Sequence, residues 1–204
     1  PEFNPQPNAI DYQIEADYSG LIAPGMPNVG IELGEKFGRL MNYGDGLYGG
    51  QFVAGMYAEA FFEDDPKKLV EAGLACVPAE SQFAETIRDV LAWHAEEPDD
   101  WQAVWQRIED KYQDNMAYRR FSCNKHSGNM DFNIDAKINA AYIVMGLLYG
   151  EGDIEKTTVI SMRCGQDSDC NPSNAVGVLC TTIGADAMPE RFVSALDRTP
   201  KYSH

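Results

Sequence analysis

From residue 43 onward, apolar side chains return at helical intervals almost without interruption, and no stretch alternates long enough to make a confident strand. Trp101, Val104, Trp105, Ile108 and Tyr112 stand at i, i+3, i+4, i+7 and i+11, which is one stripe of a helix. Phe83, Ile87, Val90 and Leu91 make a similar stripe just before it. Ile134, Ile138, Ala141, Tyr142, Met145 and Leu148 predict a further helix within 133–149. Residues 47–62 read as one apolar helix rich in Gly and Ala, and Asp64-Asp65-Pro66 opens the next with an acidic cap and a proline in its first turn. Segments 153–164, 172–183 and 189–196 complete the set. The expectation is an all-α bundle. Val159-Ile160 is the place where a strand could nucleate, and the polar run 115–132 is expected to be the longest loop.

A chain of 204 residues is long enough to bury a core without disulfides or a structural metal, and one domain spanning 1–204 is expected. Pro1, Pro5 and Pro7 make residues 1–8 an extended arm, or the edge of something larger. The 32 acidic side chains outnumber the 16 basic ones, for a formal charge of −16. Nucleic-acid binding, which rests on neutralising phosphates, is therefore not expected, and neither is docking on an anionic membrane. No apolar run has transmembrane length, and the first residues show neither a basic nor an apolar signal-peptide region. The five cysteines are odd in number and form no framework, which favours a reducing, cytoplasmic location. Cys123 and His126 have metal-ligand spacing, but no second half-site follows, so zinc is not expected.

Gly165-Gln166-Asp167-Ser168-Asp169-Cys170-Asn171-Pro172 is the segment richest in chemistry. An irregular loop can aim two carboxylates spaced i, i+2 at one point, and hard oxygen donors suit Mg²⁺, Mn²⁺ or Ca²⁺. The helix that follows adds its positive end, which suits an anion beside a metal. An EF-hand would need Gly and Glu where Pro172 and Val178 stand. The spacing leaves three readings open: a capped turn, a metal loop, and a phosphatase nucleophile that would need a strand before it. Cys170 makes a poor nucleophile, since Asp167 and Asp169 beside it raise a thiol pKa. Gly44-Asp45-Gly46-Leu47-Tyr48-Gly49 is a literal GxGxxG, but no strand precedes it, and close helix packing through small residues is the better reading. In the acidic run 11–17, only Gln13 and Asp17 would share a helix face.

Arg163 to Asn171, followed by Ala175-Val176-Gly177-Val178-Leu179, Ile183-Gly184-Ala185 and Met188-Pro189, resembles the C-terminal motif of the ADP-ribosylglycohydrolase family. That motif runs Gly-Gly-Asp-Thr-Asp, then a small-residue helix. Segment 23–65 resembles the middle of the family. Met41 to Gly46 and Asn133 to Lys137 resemble a bacterial branch of it, in which this chain would be a C-terminal portion. The resemblance implies an all-α fold, a binuclear magnesium-type site, with Mn²⁺ as the alternative, and hydrolysis of the bond joining ADP-ribose to an acceptor. Asp167 and Asp169 match metal-ligating aspartates and carry the catalytic assignment. Cys170 stands where Thr or Ser is the usual further ligand. The candidate substrate-binding residues are Gln13, Asp17, Asn42, Tyr43, Gly44 and Asp45. Asn42-Tyr43 replaces a common Thr-His, and the family's Thr-Asp-Asp cluster occurs nowhere in this chain. Those departures keep a second expectation in view, a non-catalytic relative like the lens crystallin branch, or a chain completed by a further N-terminal segment.

Overall fold

Aspartate and serine side chains open most of the long helices by closing their first amides. The computed structural model describes residues 4–118 and 133–196. Its helices are α1 (Asp11–Glu15), α2 (Asp17–Leu21), α3 (Pro27–Phe37), α4 (Asp45–Glu59), α5 (Pro66–Ala75), α6 (Gln82–Glu96), α7 (Trp101–Ile108), α8 (Ala136–Gly150), α9 (Ile154–Arg163), α10 (Cys170–Ile183) and α11 (Glu190–Val193). Asp65 caps α5 at Lys67 N (2.9 Å), Ser81 caps α6 at Ala84 N (3.1 Å), and Asp100 caps α7 at Ala103 N (2.9 Å). Asp135 caps α8 at Lys137 N (3.0 Å), and Asp153 caps α9 at Lys156 N (2.7 Å). Each such cap contributes about 1 kcal/mol. Among the described residues there is no strand, only an isolated antiparallel bridge between Ala9 and Asp135. The fold is all-α, as the periodicity implied.

Helix α8 is the axis of the molecule. Every residue from Ala136 to Gly150 is buried, as befits a helix that is apolar all round. Helices α4, α6, α9 and α10 all pack against it. Phe52 of α4 meets Phe83 of α6 edge-on, with ring centroids 5.4 Å apart. The 101–112 stripe lies inward, with Val104, Ile108 and Tyr112 buried, and it ends in a π-helical turn at Glu109–Gln113. Val159 and Ile160 lie within α9, not in a strand; the Asp153 cap commits that segment to helix. Of the expected loop 115–132, residues 119–132 lie outside the described residues, as do Cys123 and His126. Among the described residues no helix is long and apolar enough to cross a membrane.

The three helices before residue 43 are more regular than the sequence suggested. Gly30, Gly34 and Gly38 occupy the positions where a hydrophobic stripe would stand. A Cβ there would come within 3.2 Å of Ala54 Cβ, 3.0 Å of Tyr12 Oη and 2.7 Å of Leu47 Cδ1, respectively. The described part of the N-terminal arm is pinned to the body. Asn4 Nδ2 donates to Met41 O (2.6 Å), Tyr43 N to Pro7 O (2.9 Å) and Ala136 N to Asn8 O (2.8 Å).

The GxGxxG segment opens α4 and serves packing. Gly44 has φ +55° and precedes the helix. A Cβ on Gly46 would lie 2.9 Å from Ala9 O, and one on Gly49 would lie 3.2 Å from the Cβ atoms of Gln13 and Ala136. Gly46→Ala is therefore expected to cost about 1–3 kcal/mol through overpacking. A thermal melt checks this, and an unchanged midpoint would refute the packing role.

Candidate active site

Several helices begin at the same end of the molecule. Ile10 N donates to Ile134 O at 3.0 Å, which ties the start of α1 to the approach of α8. Asp45, the first residue of α4, accepts from Phe83 N of α6 (3.3 Å) and pairs with Lys137 of α8 (3.3 Å). Asn139, one turn into α8, bonds to Asp167 and Asn171 at the start of α10. The N-termini of α1, α4, α6, α8 and α10 thus gather together, and their dipoles favour negative charge there.

The Asp-Ser-Asp loop is built between α9 and α10. Trp105 Nε1 donates to Cys164 O (2.8 Å) and anchors the end of α9. Gly165 (φ +97°) and Gln166 (φ +56°) then turn the chain through two successive left-handed residues. Gln166 Oε1 accepts from Asn133 N at 2.7 Å, and Asp167 N donates to Asn139 Oδ1 at 3.2 Å. Asp167 Oδ1 accepts from Cys170 N (3.3 Å), Asp167 O from Asn171 N (3.1 Å), and Asp169 O from Ser173 N (3.2 Å). Pro172 has no amide hydrogen, so the first turn of α10 has no free backbone donor left. The expected anion site at that helix end is thereby corrected. The helix contributes its field, while its amides serve the loop. Cys170 itself joins the helix, which starts two residues earlier than the sequence pattern indicated.

One ligand atom from each of Asp167, Asp169 and Cys170 lies within 4.8 Å of the others. Asp167 and Cys170 are half-buried, and Asp169 is exposed. Burial, and then its hydrogen bond with Asp169, raise the Asp167 pKa. The same hydrogen bond lowers that of Asp169. Burial and the two carboxylates push the Cys170 thiol up to about 11. A neutral thiol is neither a ready nucleophile nor a good ligand for a hard cation. Two convergent carboxylates fit a Mg²⁺-type ion that keeps several of its waters. Because α9 precedes the loop, the strand that a phosphatase nucleophile needs is absent.

The other candidate residues divide. Asn42 is fully buried, its Oδ1 accepting from Tyr12 N (2.8 Å) and its Nδ2 donating to Pro7 O (3.2 Å) and Ala9 O (2.8 Å). These bonds brace the arm against the start of α1. Tyr43 is 51% exposed. Gly44 and Asp45 stand at the helix-start end, where burial raises the Asp45 pKa against the opposing pull of Lys137. Gln13 is completely buried beside Gly49 and Ala136, and neither of its amide atoms has a partner among the described residues. Asp17 is half-buried and acts electrostatically on Tyr57, whose hydroxyl lies against Gly177 of α10. Gly177 is seven residues, or roughly 10 Å, along that helix from Cys170. Sequence reasoning gave no role to Asn139, Lys137, Asn133 or Gln166. The available signal was polarity at 137 and 139 in an otherwise apolar buried helix, since buried polar groups need partners.

The ADP-ribosylglycohydrolase family model matches residues 16–203. The chain belongs to the ADP-ribosylglycohydrolase family. No curated protein and no solved structure matches it. The family's chemistry is hydrolysis of ADP-ribose linkages, generally with a metal. In this glycohydrolase-family chain, Asp167, Asp169 and Cys170 form a cluster among the described residues whose geometry could hold one.

Proposed function

We propose that this chain carries out metal-dependent hydrolysis of the glycosidic bond between ADP-ribose and an acceptor, with Asp167 and Asp169 as metal ligands. The observation that carries the reading is the convergence of those two carboxylates within 4.8 Å, in a loop resembling the family motif. Mg²⁺ is the favoured ion, with Mn²⁺ the alternative. Asp167 and Asp169 would hold the ion, which would supply Lewis acidity and a water activated for attack. One carboxylate of the pair takes the proton from the attacking water. The gathered helix starts offset the acidity of the chain, so that a diphosphate is tolerated nearby. Gln13, Asp17, Tyr43, Gly44 and Asp45 are the proposed substrate side of the site. The unpartnered amide of Gln13 supports its inclusion. One domain spanning 1–204, working in the reducing cytoplasm, is part of the proposal, and the free described cysteines are in keeping with that setting.

The test is release of ADP-ribose from arginine-linked and serine-linked ADP-ribosyl peptides, with Mg²⁺, with Mn²⁺ and with a chelator. Metal-dependent release supports the reading, and no release from either peptide counts against it. A second reading, a non-catalytic ligand-binding relative, is favoured by the thiol at 170. The two readings differ on Cys170→Thr. A hydroxyl ligand there is expected to tighten Mg²⁺ binding severalfold in calorimetric titration. Unchanged affinity would remove position 170 from the ligand set.

A further inference from the structure

Asn139 is wholly buried, and its amide is hydrogen-bonded to capacity. Nδ2 donates to Asn133 O and to Asp135 O, each at 2.9 Å. Oδ1 accepts from Asp167 N (3.2 Å) and from Asn171 Nδ2 (2.8 Å). One side chain therefore joins the approach to α8 with both ends of the Asp-Ser-Asp loop. Neither leucine nor aspartate could replace it, since the position needs two donors and two acceptors together.

We propose that Asn139 is a positioning residue for the Asp167 and Asp169 carboxylates, with Gln166 as its auxiliary; this rests on the glycohydrolase reading above. Asp167 is held at its amide by Asn139 and at one carboxylate oxygen by Cys170 N. Those two anchors set the direction of its side chain. Gln166 supplies a second tie. Its φ of +56° is one that glycine adopts more readily. The glutamine adds an acceptor, Oε1, which takes the Asn133 N–H at 2.7 Å. Asn133 in turn donates through Nδ2 to Gln113 Oε1 of the π-helical turn (2.8 Å) and accepts from Asp135 N (3.0 Å). The loop thus hangs from a buried amide network that reaches two other parts of the chain. Partners of this kind, one bond removed from a metal, commonly change its affinity by about 10–100-fold.

The experiment is Mn²⁺ titration followed by electron paramagnetic resonance, using the full chain, Asn139→Ala, Gln166→Gly and Asp167→Asn. All are measured well below their melting temperatures. The expected result is Mn²⁺ binding about tenfold or more weaker in Asn139→Ala. Gln166→Gly is expected to stay folded, because glycine suits the positive φ and offsets part of the lost hydrogen bond, yet to bind Mn²⁺ more weakly. A merely structural role would lower the melting point of Asn139→Ala and leave the affinity of the folded protein unchanged; that result overturns the proposal. Should Asn139→Ala fail to fold, unchanged affinity in Gln166→Gly overturns it instead. Parent binding that is lost in Asp167→Asn but intact in the other two variants defeats the positioning role alone. No Mn²⁺ binding by the parent defeats the glycohydrolase reading, and this inference with it.

Discussion

Asp167→Asn is expected to abolish metal-dependent release of ADP-ribose while leaving the fold intact. The substitution is nearly isosteric, and an asparagine Oδ1 still accepts from Cys170 N, so the first turn of α10 keeps its cap. What disappears is a negative charge, on which a hard divalent cation depends. Loss of a direct ligand should exceed the effect of losing an outer partner, so kcat/KM should fall by at least about a hundredfold. Asp169→Asn should do the same with even less effect on stability, because its side chain is exposed. Melting makes a second readout. At about 100 times its dissociation constant, a ligand adds roughly 2.7 kcal/mol, or about 5–11 °C for a chain of this size. Mg²⁺ with ADP-ribose should raise the parent's midpoint by that order and leave both variants unmoved. Full activity in Asp167→Asn would mean that the carboxylate is only a cap.

Much of this architecture was written in the periodicity. The stripe from Trp101 to Tyr112 and the acid-proline start of α5 stand where the spacing put them, because amphipathic faces and caps are local devices. Helix α3 was less visible, since its buried face is made of Gly30 and Gly34, which no hydrophobicity pattern registers. The Asp-x-Asp loop was legible as a candidate because two acids so close in sequence must either cap or coordinate. Its supports were not. Asn133, Asn139 and Gln166 are ordinary polar residues in sequence, and only the packing of α8 against α10 brings them onto the loop. The same holds for the brace that Asn42 gives residues 7–12.

Lys137→Met should be the most destabilising single change at this end of the molecule. The Lys137 ammonium is almost completely buried between two carboxylates, at 3.0 Å from Asp135 Oδ1 and 3.3 Å from Asp45 Oδ2. Burial alone would lower its pKa, but Asp135 and then Asp45 more than reverse that, and the net shift is upward. Methionine fills a similar volume without the charge, and so leaves Asp45 and Asp135 facing one another in a poorly solvated place. Removing one partner of a buried ion pair costs about 3–5 kcal/mol. At this chain length that lowers the melting midpoint by about 6–20 °C. The sign of the pH dependence follows from the raised lysine pKa. The pair contributes fully below the ordinary lysine range and is lost only as pH climbs through the raised value, so the deficit should persist from about pH 6 to 9. Adding Asp45→Asn to Lys137→Met should recover part of the loss, because it removes one of the two carboxylates left uncompensated. The triad also joins the starts of α4 and α8 directly behind Asn139, so loosening it should weaken Mn²⁺ binding as well. A Lys137→Met protein melting within about 2 °C of the parent, less than 1 kcal/mol, would show that water reaches the triad and that the charges are not buried as the packing implies.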